Sequence, residues 1–144
     1  MSKYSRVTTR FMNRIALKRA LEAIFGAESV EDCEVAKQLY GYRGDLREER
    51  ANLIVRRKHV GGSSNDLGWA WNEKTGVFES LVSEYDQGHA RTRLEKLEQA
   101  YGVEVAKITA AEMGYNVLGV TIGEDGSVNL EIDIPEGQFA QTYV

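Results

Sequence analysis

The fold of this chain is decided by residues 94–134, LEKLEQAYGVEVAKITAAEMGYNVLGVTIGEDGSVNLEIDI. The first part of this stretch repeats apolar side chains at intervals of three and four residues, which predicts a helix with one apolar face. The second part holds two apolar runs, 116–122 and 128–134, on either side of Gly123-Glu124-Asp125-Gly126. A short turn between two such runs is typical of an antiparallel hairpin. We therefore expect a helix over residues 94–115 followed by a hairpin, and hence a small α+β domain.

The preceding part of the chain supplies the other elements of that domain. Residues 4–11 predict a strand, and Asn13 is a suitable N-cap for a helix that ends at Gly26. Four further strand-like segments follow at 31–42, 50–60, 67–71 and 77–85. The predicted order is therefore β-α-β-β-β-β-α-β-β, which favours an antiparallel sheet with two main helices on one face. We predict a single two-layer domain over residues 1–134 and a C-terminal tail over residues 135–144.

The composition indicates a protein of one domain in a reducing compartment. A chain of 144 residues is the usual size of a single domain. Cys33 is the sole cysteine, so an internal disulfide is impossible. The sequence shows neither a signal peptide nor an apolar run long enough to span a bilayer. We expect a cytoplasmic protein that is not associated with a membrane.

The charge is distributed unevenly along the chain. Its net value is −4, but the region from Lys3 to Arg19 has six basic residues and no acidic one. No Lys or Arg occurs after Lys107, whereas several acidic residues do. Two interpretations are open: the first and last strands lie side by side and neutralise each other, or the basic region binds an anionic partner. We favour the first.

The residue types that carry most catalytic and metal chemistry are sparse. The chain has two histidines, His59 and His89, and no motif with the spacing of a zinc site. Glycines at 41–44 and 61–62 lack the spacing of a phosphate-binding loop. No nucleophile, base and orienting residue can be assembled from the sequence. We therefore expect a non-enzymatic protein without a cofactor or a bound metal.

Basic and aromatic residues give the strongest functional signal. The candidate binding residues are Tyr42, Arg43, Arg56, Arg57, Lys58, Trp69 and Trp71. A sheet surface that bears aromatic and cationic side chains can bind single-stranded nucleic acid by stacking bases and pairing with phosphates. The alternative is that Trp69 and Trp71, which share a strand face with Leu67, lie in the core. Trp, Tyr and Arg also concentrate at protein interfaces.

Two functional hypotheses follow from these residues. The first is an interaction module that docks a protein partner through its sheet face or a sheet edge. The second is a single-stranded nucleic-acid-binding protein. Exposed strand edges also make a homodimer compatible with the sequence.

Several short motifs also match a known family in the same order. They are Met1-Ser2-Lys3-Tyr4-Ser5, Leu17-Lys18-Arg19-Ala20-Leu21, Gly41-Tyr42-Arg43-Gly44, Asp66-Leu67-Gly68-Trp69, the helix 94–101, Gly114-Tyr115-Asn116-Val117 and Asp125-Gly126-Ser127-Val128. Together they resemble the uncharacterised domain family numbered twelve fifty-seven, whose plastid members are called hypothetical chloroplast reading frame thirty-five. The resemblance covers nearly the whole chain and implies a fold without a settled activity. Because members tend to be encoded near AAA+ ATPases, it also implies an accessory role with a protein partner in such a system.

Overall fold

The computed structural model describes residues 2–135, in which the chain forms seven strands and five helices. The elements are β1 (Tyr4–Thr8), α1 (Arg14–Phe25), β2 (Val30–Tyr40), β3 (Leu46–Val55), α2 (Arg57–Val60), β4 (Leu67–Asn72), β5 (Val77–Ser83), α3 (Glu84–His89), α4 (Arg91–Glu95), α5 (Leu97–Glu112), β6 (Asn116–Ile122) and β7 (Val128–Asp133). The predicted order of strands and main helices is confirmed. The short helices α2, α3 and α4 were not predicted.

The first five strands form one antiparallel sheet in the order β1-β5-β4-β3-β2, which confirms the α+β class. The closing hairpin is confirmed as well, but β6 and β7 form a two-stranded sheet of their own. The fold therefore has a main sheet whose edge strands are β1 and β2, and a separate hairpin at the end of the described chain.

One face of the main sheet packs against α1 and the start of α5. Leu67 and Trp69 of β4 are buried in one cluster with Leu17 and Leu21 of α1 and Leu97 of α5. Burial of each such side chain stabilises the fold by about 2 kcal/mol. This cluster is the main core, and Trp69 belongs to it.

The other face of the sheet is covered in part by its own long hairpin. The register of β2 against β3 shifts between Asp32 and Lys37, where Asn52 donates to the Cys33 carbonyl. Beyond this bulge Leu39 lies against β4, because a Cβ on Gly68 would be 3.1 Å from its methyl groups. Leu39 and Cys33 belong to a second buried cluster with Ile54 and Leu81. The sheet face that was expected to dock a partner is therefore partly closed, and Cys33 is a small core residue.

The predicted second helix differs from the structure in both continuity and packing. It is divided at Lys96 into α4 and α5, and Gly102 lies inside α5 without breaking it. The helix was expected to lay one apolar stripe on the sheet, whereas α5 packs mainly on α1 and on the final hairpin. Its Tyr101 hydroxyl accepts the backbone N–H groups of Met12 and Asn13 at 3.0 and 2.9 Å. These bonds fix α5 to the start of α1.

The first and last strands were expected to neutralise each other's charge by lying side by side, and this interpretation is wrong. β1 pairs with β5 and β7 with β6, so the first and last strands do not lie side by side. Instead Arg6 forms an ion pair with Glu79, and Arg14 forms one with Asp32. These cations of the basic region are therefore neutralised by acidic residues that precede the final hairpin.

No helix within residues 2–135 is long and apolar enough to cross a membrane. The tail predicted over residues 135–144 lies, after Pro135, outside the described residues.

Candidate partner-docking site

Arg56, the first residue of the predicted basic cluster, is turned into the protein. Its Nη1 lies 2.7 Å from Oδ2 of Asp66, and its Nη2 donates to Glu31 at 3.1 Å. The guanidinium also lies over the Tyr40 ring, 5.5 Å from its centre. Burial lowers the pKa of Arg56, but the hydrogen bonds to Glu31 and Asp66 outweigh it and raise that pKa. The hydrogen bond from Arg56 lowers the pKa of the Glu31 carboxyl. Arg56 is thus held as a structural cation.

Asp66 joins four segments of the chain. Its carboxylate accepts from Arg56 at 2.7 Å, and from the backbone N–H groups of Tyr40 and Arg57 at 2.8 Å each. Its backbone carbonyl accepts from the Tyr4 hydroxyl at 2.6 Å. Burial and then the charge of Asp66 raise the pKa of Tyr4. A buried carboxylate with these donors is the expected way to satisfy a charge away from water.

Arg57 is likewise engaged with the protein. Its side chain donates to the carbonyls of Gly62 and Ser64 at 2.7 and 3.2 Å. The sequence predicted a strand end at this position, but residues 57–60 form the short helix α2. Because Arg57 begins a helix, its side chain reaches the loop that follows α2. Its hydrogen bonds hold residues 61–66 in place.

The remaining predicted binding residues differ in exposure. Trp69 is 1% exposed, so its proposed role in stacking on a ligand is wrong. Trp71 is 39% exposed and packs edge-on against Phe78. Arg43 lies over the neighbouring Tyr42 ring, while Lys58 is exposed on α2. No aromatic contact joins Tyr42 to Trp71 in the part of the chain that the structure describes.

A second buried polar cluster was not predicted. Asn65 donates to Ser83 and to Asp86, and the Ser83 hydroxyl donates to Asp86 at 2.8 Å. Ser83 also accepts the Asp86 backbone N–H as the N-cap of α3. The signal in the sequence was the Ser83-x-x-Asp86 spacing, which is that of a capping box. The cluster ties the loop 61–66 to α3.

Two atoms in this region lack a hydrogen-bond partner among the described residues. They are Oγ of Ser64 and Oδ1 of Asp86, both buried. His89 lies beside Gly61 and stacks on Tyr85, with ring centres 5.2 Å apart. No group of three or more His, Cys, Asp or Glu side chains in residues 2–135 is placed to hold a metal ion.

The edge of β1 is the surface with the clearest capacity to bind a partner. The Lys3 carbonyl accepts from Glu84, and the Thr9 N–H donates to Phe78 on the β5 side. Backbone groups alternate in direction along a strand. The N–H and C=O groups of Tyr4, Arg6 and Thr8 therefore point away from β5, where β1 has no strand neighbour within residues 2–135.

An apolar groove of about 420 Å³ runs beside this edge, on the helix side of the sheet. It is lined by Ser5 and Val7 of β1 and by residues of α4 and α5 that include Leu94 and Glu98. Its lining also includes Phe11, Trp69, Val82 and Leu97. Val7 is 56% exposed, so the groove is open to solvent at this residue.

The edge and the groove occupy neighbouring parts of one surface. The sequence showed the alternation of Val7, Thr9 and Phe11 that places them on one face of the chain. It did not show that β1 would be an edge strand, because that depends on its pairing with β5, more than seventy residues away.

Comparisons with known proteins place the chain in a family without assigning an activity. No curated protein and no solved structure matches it. A family model matches residues 26–131, well over half of the chain, and begins after β1 and α1. The family match therefore does not include β1, and the structure is the evidence for the β1 site. On the strength of that match, the chain belongs to the family described as "Protein of unknown function (DUF1257)".

Proposed function

We propose that this protein is a non-enzymatic interaction module that binds an extended segment of a partner protein along β1. The observation that supports this proposal is the position of the β1 edge, which has no strand neighbour within residues 2–135, beside an apolar groove. An extended peptide that adds a strand to a sheet obtains affinity from backbone hydrogen bonds and specificity from alternate side chains. The β1 edge offers the backbone hydrogen bonds, and the groove offers a place for the alternate side chains.

Backbone hydrogen bonds and apolar burial would supply the affinity of such a complex. Tyr4, Arg6 and Thr8 present a backbone donor and acceptor each, and a typical hydrogen bond contributes about 1 kcal/mol net. Side chains of an added strand that point to the helix side would lie between Val7 and Leu94, where apolar area is buried. Part of this gain is offset by the loss of translational freedom and by ordering of the peptide.

The nature of the partner is also part of the proposal. We place the protein in the cytoplasm as an accessory subunit. The chain resembles a family whose members tend to be encoded near AAA+ ATPases, which suggests a partner from such a system. Docking on β1 can be tested without knowing the partner.

The proposal is tested by selecting binders from a displayed library of random peptides with the full chain as bait. The matched variant is Thr8→Pro, because proline removes an N–H that points away from β5 and is tolerated at a sheet edge. We expect enriched peptides to bind the wild type and to lose most of their affinity for Thr8→Pro. Urea unfolding checks that this variant is folded.

Two results would contradict the proposal. One is the failure of any peptide to be enriched over several rounds of selection. The other is binding of the enriched peptides to folded Thr8→Pro with unchanged affinity, since the β1 edge would then not be used.

Single-stranded nucleic-acid binding is the second candidate, and one observation favours it. Tyr42 and Arg43 form an exposed stacked pair, and Lys58 is exposed as well. Arg56 and Arg57 are engaged in internal bonds, which leaves fewer cations for phosphates. Light scattering with an oligonucleotide mixture at low salt tests this candidate: a salt-sensitive rise in mass that Arg43→Glu abolishes would support it. The mass of the protein alone reports whether it is a homodimer.

A further inference from the structure

Three cations of the basic region remain without an acidic partner. Arg6 pairs with Glu79 at 2.9 Å, and Arg14 and Lys18 pair with Asp32 at 2.6 and 3.8 Å. Lys3, Arg10 and Arg19 have no carboxylate within 4.0 Å among residues 2–135, and all three are exposed. The charge asymmetry of the sequence is therefore concentrated at these three positions.

Two of the three cations bracket the docking edge. Lys3 directly precedes β1, and Arg10 follows the last residue of β1 by two positions. Seven residues of extended chain span about 20 Å, which is the length of a typical strand. A strand added along β1 would therefore have one end near each cation.

In the described part of the chain, the α4 and α5 side of the groove has no such unpaired cation. On the helix wall, Arg91 is paired with Glu95 at 2.8 Å. Glu98 lines the groove, is exposed and forms no ion pair within the described residues, so it gives the α5 side of the groove a carboxylate beside apolar side chains. Acidic groups on a partner are repelled there, while apolar groups are accepted.

We propose that the segment docked on β1 has apolar side chains at alternate central positions and a carboxylate near each end. This inference rests on the function proposed above and adds the charge pattern of the partner. The terminal carboxylates pair with Lys3 and Arg10 at the exposed rim, and the apolar side chains enter the groove. Pairs at a rim act mainly on association rate and specificity, and salt screens them.

The test uses the full chain and three synthetic peptides of about eight residues, which match the stretch from Lys3 to Arg10 in length. All three share a centre in which valine or leucine alternates with serine. Their ends carry glutamate, glutamine or lysine. Fluorescence anisotropy measures the affinity of each labelled peptide at low and at high salt.

We expect the glutamate-ended peptide to bind most tightly and the lysine-ended peptide least, with about a tenfold difference at low salt that shrinks at high salt. The double substitution Lys3→Glu and Arg10→Glu should reverse this order. Arg19→Glu reverses the charge of one unpaired cation on α1, outside β1, and should leave the order unchanged.

The outcomes separate this inference from the proposed function. Equal binding of all three peptides that is lost in Thr8→Pro would overturn the charge pattern and retain docking at β1. Absence of binding by all three peptides, when the library selection does yield Thr8-dependent binders, would overturn the charge pattern as well. A protein that is dimeric by light scattering and monomeric as Thr8→Pro would show that a second copy occupies the edge, which also overturns the inference.

Discussion

The guanidinium of Arg56 lies 2.7 Å from the carboxylate of Asp66, and that carboxylate is 1% exposed. The pair connects the end of β3 to the start of β4 and, through the backbone of Tyr40, to β2. The residue that seemed most suited to an anionic ligand is therefore part of the frame that holds three strands together. This relationship leads to the first two predictions.

Replacing Arg56 with Met should lower the free energy of unfolding by about 3 kcal/mol, since it leaves the Asp66 charge buried without its cation. The remaining backbone donors from Tyr40 and Arg57 place the loss at the lower end of the usual range. Urea unfolding measures it. Lys58→Met is the matched control, because Lys58 is exposed, and should change stability by less than about 0.5 kcal/mol. Equal stability of the two variants would mean that the pair is not formed.

The hydrogen bond from Arg56 to Glu31 should make part of the stability dependent on acid. The pKa of Glu31 is lowered in the folded protein, so its contribution is present above the unfolded value of about 4.3 and is lost as the pH falls through the folded value. The difference in unfolding free energy between the wild type and Glu31→Gln should therefore shrink from pH 6 to pH 3. Urea titrations at several pH values test this. A difference that stays constant over that range would rule out the assigned hydrogen bond.

Gly68 should tolerate no side chain, because the β2–β3 hairpin folds over it. A Cβ at this position would lie 2.7 Å from Cβ of Ala51 and 3.1 Å from the methyl groups of Leu39. We expect Gly68→Ala to destabilise the protein by about 1–3 kcal/mol through overpacking. Thermal or urea unfolding measures the change.

The control for this prediction is Gly88→Ala. Gly88 lies in α3 and has no atom within 4 Å of an added Cβ. Alanine favours a helix by up to about 1 kcal/mol over glycine, so this variant should be neutral or stabilised. If Gly68→Ala were as stable as Gly88→Ala, the hairpin would not cover β4 as described.

The two tryptophans should differ in accessibility and in their effect on stability. Trp69 is buried at 1% exposure, whereas Trp71 is 39% exposed. In Trp71→Phe, the fluorescence of the remaining Trp69 should be blue-shifted and resist quenching by acrylamide. In Trp69→Phe, acrylamide should quench the fluorescence of the remaining Trp71 readily. Trp69→Ala should cost about 3–5 kcal/mol. Similar quenching of both tryptophans would contradict the placement of Trp69 in the core.

Much of the local structure could be predicted, because its causes lie within a few residues of each other. Asn13 was identified as an N-cap, and its side chain accepts from the Ala16 N–H. Gly26, identified as a helix end, has a φ value of 123°, which favours glycine. The strand alternation of Leu67 and Trp69 correctly indicated a core face, although Trp71 at the end of the same face is half exposed.

The candidate site was less predictable. Arg56 and Arg57 carry the same charge whether they face water or Asp66, and their sequence neighbours do not distinguish the two cases. Val7 and Thr8 looked like any residues of a short strand. Their place at an edge depends on which strand pairs with β1 and on which helices reach the same side.

By itself, the sequence determined the element order, the helix ends and the closing hairpin, since periodicity, capping and turn formation act over short distances. The tertiary structure alone decided that β1 is an edge strand, that the β2–β3 hairpin closes one sheet face and that Arg56 is internal. Each of these depends on contacts between residues far apart in the chain. Such contacts are selected by the packing of the whole domain, and no local pattern encodes them.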